Sequence, residues 1–307
     1  MGPLNQVARW PVSTAAAGIV GARPAAGHPG STGGPPGILD SVGDVERRYP
    51  WASVTKPVTA LAVLVAVEEG TMDLDEPVGP PGSTVRHLLA HASGLGPESR
   101  SPLGAPGTRR IYSNAGFVWL AELLAERSGM AFSAYVADGV LGPLGLAGTV
   151  LPEGASPASG LAGPLDDLLR LAAELAAPTL ISAETHRVAT SVAFPGLAGV
   201  LPGFGRFEHC DWGLGLEIRG TKHPHWTGDH NSPATFGHFG QSGSFVWVDP
   251  VAGLACAGLA DRPFGPWAAQ AWPRLADAVL ADAGLADAAV PVAGQPGAGQ
   301  PDGSSPG

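Results

Sequence analysis

The sequence predicts an α+β fold (α/β in the broad sense): one antiparallel sheet built from the N- and C-terminal segments, flanked by helices, with a mostly helical lobe inserted between its two halves. Three observations carry this. Apolar residues recur at helical spacing through the middle of the chain. After about residue 210 they alternate with the two-residue period of strands. A short extended stretch near the start and a helical pattern near the end supply the remaining layers.

Taken in order, residues 14–20 read as the first strand, and 21–36 as a Gly/Pro/Ala-rich loop leading to a second extended stretch that ends near Trp51. Val54, Val58, Leu61 and Val65 mark a helix over 54–69 with Gly70 as its stop, and Pro57 is tolerated in the first turn, where backbone N–H groups lack intrahelical partners. Ser83-Thr84 cap a short helix at 85–91. Phe117, Leu120 and Leu124 mark a helix over 114–128 closed by Gly129, and a shorter one follows at 132–140. Pro164, Asp166 and Asp167 are start signals within a helical pattern at 161–177, and Ser182 caps another short helix. Trp212, Leu214, Leu216 and Ile218 alternate as a strand. Residues 244–248 and 254–259 form two more, joined by a turn at 249–253, and 267–283 is a closing helix. Residues 284–307 have no periodic face and read as a disordered tail. The expected organisation is one unit over 1–283, with a sheet lobe at about 1–70 and 210–283 and a helical lobe at about 71–209.

The chain has 307 residues, 44% hydrophobic and 14% charged, which is the composition of a compact core rather than of a disordered chain. Its net charge of −10 and the lack of any basic block argue against a nucleic-acid partner and a polybasic membrane anchor. No apolar run approaches the ~20 residues of a membrane span. Residues 12–20 are followed by a Gly/Pro-rich loop instead of a cleavage site, so the expected location is cytoplasmic. Cys210 and Cys256 share no ligand spacing and read as reduced, buried thiols. His87 and His91 lack a Glu-x-x-His context, and His223, His225 and His230 lie in a Pro/Gly-rich loop, so no metal or other cofactor is expected.

Lys56 is one of only two lysines, set against fifteen arginines, and it stands three residues after Ser53 at the head of the 54–69 helix. A buried lysine can lose its proton and act as a base, which arginine does not do. That one-turn spacing puts an amine on the same face as a hydroxyl at a helix N-terminus, an arrangement suited to activating a nucleophile. Alone it also describes an N-cap with a solvated first-turn lysine, and chance supplies about 0.13 such matches in this composition. Tyr112-Ser113-Asn114 is rarer, at about 0.03 by chance. His238-Phe239-Gly240 gains weight from its place immediately before a strand. The nearest approach to G-x-S-x-G, Gly240-Gln241-Ser242-Gly243-Ser244, lacks the final glycine, which argues against an α/β-hydrolase.

In this order the three elements resemble the motifs of the serine β-lactamase and penicillin-binding-protein superfamily, in the branch of class C β-lactamases, D-alanyl-D-alanine carboxypeptidases and related esterases. The segments 67–70, 85–95 and 143–146 are also similar, and the resemblance runs from about residue 45 to 260. It implies a β-lactamase/transpeptidase-like fold and a serine hydrolase working through an acyl-enzyme on Ser53. Lys56 and Tyr112 would move the serine proton, and the backbone N–H groups of Ser53 and Gln241 would form the oxyanion hole. Asn114 would bind the substrate's amide side chain. His238 and Gly240 would take the place of the β-lactamase Lys-Thr-Gly, with histidine where the lysine helps bind a carboxylate. The expected partner is a small-molecule ester, amide or lactam, with esterase or amidase/peptidase activity ahead of β-lactamase or D-alanyl-D-alanine carboxypeptidase activity. A ligand-binding or sensory relative without turnover is the alternative of another class. The sequence leaves open the natural substrate, hydrolase against acyltransferase, the identity of the kinetic base and the oligomeric state.

Overall fold

The computed structural model describes residues 2–21 and 37–285. Of the loop expected at 21–36, all but Gly21, which ends a strand, lies outside the described residues, as does nearly all of the expected tail at 284–307. Within them, the chain enters through a 3-10 turn at Pro3–Arg9 and forms β1 (Ala15–Gly21) and β2 (Gly37–Gly43). A two-residue strand β3 (Tyr49–Pro50) leads through a 3-10 turn at Ala52–Val54 into α1 (Thr55–Glu68). Then follow α2 (Val85–Leu89), α3 (Asn114–Ser128), α4 (Phe132–Val136) with a π-turn at Ala137–Leu141, β4 (Ala162–Gly163), α5 (Leu165–Ala176) and α6 (Ala183–Ala189). A small hairpin, β5 (Gly199–Leu201) and β6 (Gly205–Phe207), precedes β7 (Glu217–Ile218), β8 (Phe236–Gly240), β9 (Ser244–Asp249), β10 (Leu254–Ala260) and α7 (Pro266–Asp282).

The main sheet has the order β2-β1-β10-β9-β8-β7, antiparallel throughout. β1 pairs with β10 in the register Ala15↔Ala260 to Gly21↔Leu254, so the two ends of the chain meet in the interior of the sheet. The two faces of the strands feed two cores. Val246, Val248, Ala255, Ala257 and Leu259 pack with α1, α3 and α5, whereas Phe245, Trp247 and Cys256 pack with α7 and the N-terminal turn. This two-sided cover explains why β9 and β10 are buried along their whole length. Gly18 lets α5 approach β1 closely: a Cβ there would lie 2.7 Å from the end of the Leu169 side chain, which would have to shift.

Several expectations shift. The alternation at 212–218 is not a strand. Trp212 bridges to Glu217 across a turn, with Gly215 at φ +79, and only Glu217–Ile218 join the sheet. The two glycines between the apolar residues let the chain fold back where a two-residue period suggested an extended run. The helix expected from 161 begins at 165, because Ala162–Gly163 pair with Tyr49–Pro50 as a second small sheet. Asp167 lies in the first turn but is buried and accepts a bond of 2.8 Å from Thr149 Oγ1. The helix expected over 132–140 changes to a π-turn after Val136, and the one over 85–91 stops at Leu89, beyond which His91 has φ +54. His238 lies inside β8 rather than ahead of a strand. No described helix is long and apolar enough to cross a membrane.

Candidate active site

Ser53 sits in the tight turn between β3 and α1, held from both sides. The Trp51 amide donates to Leu161 O (2.9 Å), its indole Nε1 donates to Gly163 O (3.1 Å), and Ser244 Oγ donates to Trp51 O (2.6 Å). Ala52, immediately before the serine, has φ +45, a left-handed conformation that costs a non-glycine residue about 1–3 kcal/mol and persists only where the surroundings enforce it. The outcome is a half-buried hydroxyl one turn ahead of a helix whose N-terminal dipole favours negative charge.

Lys56 lies on α1 with its side chain fully buried. Its Nζ donates to Ser53 Oγ at 3.2 Å and to Ala158 O at 2.9 Å, and stands 4.7 Å from the centre of the Tyr112 ring and 5.6 Å from that of Phe117. Among the described residues no carboxylate pairs with it. Desolvation lowers its pKa to about 7, the more distant Glu98 opposing this in part, so a large fraction is neutral near pH 7. Helix α1 is buried almost all round, and for that reason its lysine is desolvated rather than solvated.

Tyr112 comes from the opposite side, just ahead of α3, and its Oη donates to Ser53 Oγ at 2.8 Å. Burial raises its pKa well above the ordinary phenol value, outweighing the bond to Ser53. Two residues missed in the sequence hold it there. His91 packs on the Tyr112 ring (4.6 Å between centroids) and accepts the Ser113 amide on Nδ1 at 3.1 Å. Arg110 is buried, with no carboxylate paired to it among the described residues. Its guanidinium donates to Ala90 O (2.7 Å), Cys210 O (3.1 Å), Phe194 O (3.0 Å) and Ala193 O, clamping three loops behind the tyrosine. Its place two residues before Tyr112 was the available hint.

The third element comes from β8. His238 and Gly240 share the face towards α1. Gly240 is glycine because a Cβ would lie 2.4 Å from Trp51 O and 2.4 Å from Ser244 Oγ, so only a bare backbone lets β8 pass this close to the nucleophile turn. The His238 imidazole donates from Nδ1 to Phe239 O at 2.7 Å, and burial, with Lys56 adding to it, lowers its pKa to about 3. Asn114 opens α3 and its Nδ2 donates to the exposed Glu98 Oε1 at 2.5 Å.

Ser53, Tyr112, His238 and Gln241 line one cavity of about 360 Å³, measured with its open mouth. Its other walls are Leu201 and Pro202 of the β5–β6 hairpin, Trp212, Phe239 and Glu217. Trp226 lies in the second core, with Phe204 and Phe207 packed against it. Glu217 was not foreseen. It is buried, contacts Lys222 Nζ (2.8 Å) and accepts from His225 Nε2 (2.9 Å) and Trp226 Nε1 (3.0 Å). Burial alone would raise its pKa, but His225 and Lys222 outweigh it and bring it to about 2. Both lysines of the chain are thus buried, one beside the candidate nucleophile and one in an ion pair on the cavity's far wall. Of the other histidines, His87 stacks on Phe194 at 4.2 Å, and His223 and His230 lie near Asp229 and Asp277. Cys210 and Cys256 are buried free thiols.

This arrangement brings a hydroxyl within hydrogen-bonding reach of an amine that titrates near neutrality and a phenol that stays protonated. Chemically it can deprotonate the hydroxyl and return a proton to a departing group. Comparison with known proteins bears on the family and the fold. Residues 44–281 match the family model described as Beta-lactamase. A solved beta-lactamase from Mycobacterium bovis is 50% identical, with a TM-score of 0.85, over 92% of this chain and 99% of its own. Penicillin-binding protein 4* of Bacillus subtilis (strain 168) is 29% identical over 128 residues, 31% of this chain and 28% of that protein. An Escherichia coli O157:H7 protein named as a D-alanyl-D-alanine carboxypeptidase is 26% identical over 213 residues, 55% of this chain and 49% of that protein. The chain therefore spans less than half the length of these two curated relatives.

Proposed function

Because the chain belongs to the beta-lactamase family, we propose that it is a serine hydrolase that acts through an acyl-enzyme on Ser53, with a small ester or amide as substrate. The observation that supports this most strongly is the pair of contacts on one oxygen: Lys56 Nζ at 3.2 Å and Tyr112 Oη at 2.8 Å from Ser53 Oγ. In this reading neutral Lys56 takes the Ser53 proton as the oxygen attacks the acyl carbon. Tyr112, protonated because it is buried, donates to the leaving group and recovers a proton from the Lys56 ammonium. The tetrahedral oxyanion is held by the backbone N–H groups of Ser53 and Gln241, and water then releases the acyl group. Of these two groups Lys56 has the pKa near neutrality and Tyr112 one pushed well above it, which favours Lys56 as the kinetic base.

The test is turnover of p-nitrophenyl butyrate and labelling by a fluorophosphonate probe, with Ser53→Ala as the control. Turnover and label that both vanish in the variant support the reading; neither occurring in the wild-type chain refutes it. A second reading, lactam hydrolysis, is favoured by the 50% identity to the Mycobacterium bovis protein described as a beta-lactamase. A chromogenic cephalosporin run beside the ester separates the two.

A further inference from the structure

The two halves of an acyl substrate make opposite demands on a site of this kind. The leaving group must depart and water must enter in its place, so its side has to open to solvent. The acyl group stays bonded to the nucleophile until the last step and can be enclosed. The cavity at Ser53 is of the enclosed sort. Exposed Gln241 marks its mouth, whereas Leu201, Trp212 and Phe239 are buried members of the second core, so its apolar floor is the core itself. Glu217 on the far wall has its oxygens taken up by Lys222, His225 and Trp226 and makes no demand on a ligand. These walls have little room to give. Trp212 meets the rings of His91 (4.6 Å) and His238 (5.5 Å) edge to face, and Phe239 packs on Phe264 (4.8 Å) and Trp226 (5.7 Å). The β5–β6 hairpin that carries Leu201 and Pro202 is pinned at both ends. At its base the Arg110 amide donates to Ala198 O at 2.8 Å, and at its turn a Cβ on Gly203 would come within 2.6 Å of the Phe264 ring. At about 360 Å³ with its mouth counted, the cavity is near the lower end of the range for ligand pockets, about 300–1,000 Å³. An acyl chain that outgrows it must displace close-packed side chains.

We propose that Leu201 and Pro202 are specificity-determining residues that, against Trp212 and Phe239, close an acyl pocket of fixed length, so that the site takes esters or amides of short, apolar, straight-chain acids and excludes long-chain acyl groups. This rests on the serine-hydrolase reading and names the class of its acyl donor.

The experiment measures kcat/KM for p-nitrophenyl acetate, butyrate, hexanoate and octanoate, each below its solubility limit. Methylenes buried on the apolar floor favour reaction, so butyrate should exceed acetate by about 10-fold. Once the pocket is full the trend should reverse, with octanoate about 10-fold or more below butyrate. Leu201→Ala and Pro202→Ala cut back the wall, and in them the butyrate-to-octanoate ratio should drop by about 10-fold. Rates that keep rising or stay level to octanoate overturn the proposal even if the variants fail to fold. A wild-type ratio in both variants, once circular dichroism shows them folded, also overturns it. If no ester in the series acylates Ser53, the hydrolase reading itself falls and the inference with it; acylation without a length limit sinks the inference alone.

Discussion

Lys56 is chemically unusual because no carboxylate among the described residues pairs with it: its amine has a backbone carbonyl, a hydroxyl and two aromatic faces for company. Its lowered pKa gives the proposed reaction a signed pH dependence. The neutral amine is the reactive form, and its fraction rises with pH, so log kcat/KM should climb with unit slope below about pH 7 and level off above it. A stopped-flow or steady-state pH profile checks this; a rate falling across that range would assign the base elsewhere. Arginine cannot be deprotonated in the same way, so Lys56→Arg should be nearly as damaging as Lys56→Ala, each by about 100-fold or more in kcat/KM. The nucleophile motif was legible because both residue types are informative at a one-turn spacing in a lysine-poor chain. Glu217 was not: its partners Lys222, His225 and Trp226 lie in a loop without periodicity, and only the fold brings their side chains onto one carboxylate. Glu217→Gln leaves the Lys222 ammonium buried with a neutral partner and should cost about 3–5 kcal/mol in denaturant unfolding.

At the scale of elements, the site depends on how closely β8 and β9 approach the turn ahead of α1. Gly240→Ala would drive a Cβ into Trp51 O and Ser244 Oγ, each 2.4 Å away. The strand or the turn must then move, lowering stability by about 1–3 kcal/mol and ester turnover by more than that loss explains. Thermal unfolding and kcat measured side by side distinguish this from simple destabilisation. Helix α3 was legible from end to end, since Ser113 caps it by accepting from the Gly116 amide (3.1 Å) and Gly129 closes it at φ +69. The pairing of β3 with β4 was not, because two-residue strands carry no period and their partners are more than a hundred residues apart. Trp212–Ile218 misled for the converse reason: alternation encodes burial, and a buried turn with glycine at every second place alternates as a strand does.

Over the whole molecule, the first and last long strands pair in the interior of the sheet, so the sheet that packs against α1 and α5 depends on contacts formed between distant parts of the chain. The face opposite α1 and α5 is sealed by α7, where Trp272 is buried against Phe245 (5.0 Å) and Phe264 (5.4 Å). Trp272→Ala should therefore cost about 3–5 kcal/mol in urea unfolding while leaving the geometry around Ser53 unchanged in the molecules that remain folded. That the sheet is assembled from both ends was readable from the order of helical and alternating segments. Which face each strand turns to α7 follows only from the register. The central claim is covalent, and mass spectrometry of the intact protein quenched during turnover of p-nitrophenyl butyrate tests it most directly. The account predicts one butyryl group, mapped to the peptide containing Ser53 and missing from Ser53→Ala; turnover that persists in Ser53→Ala, or an adduct on another residue, would contradict it.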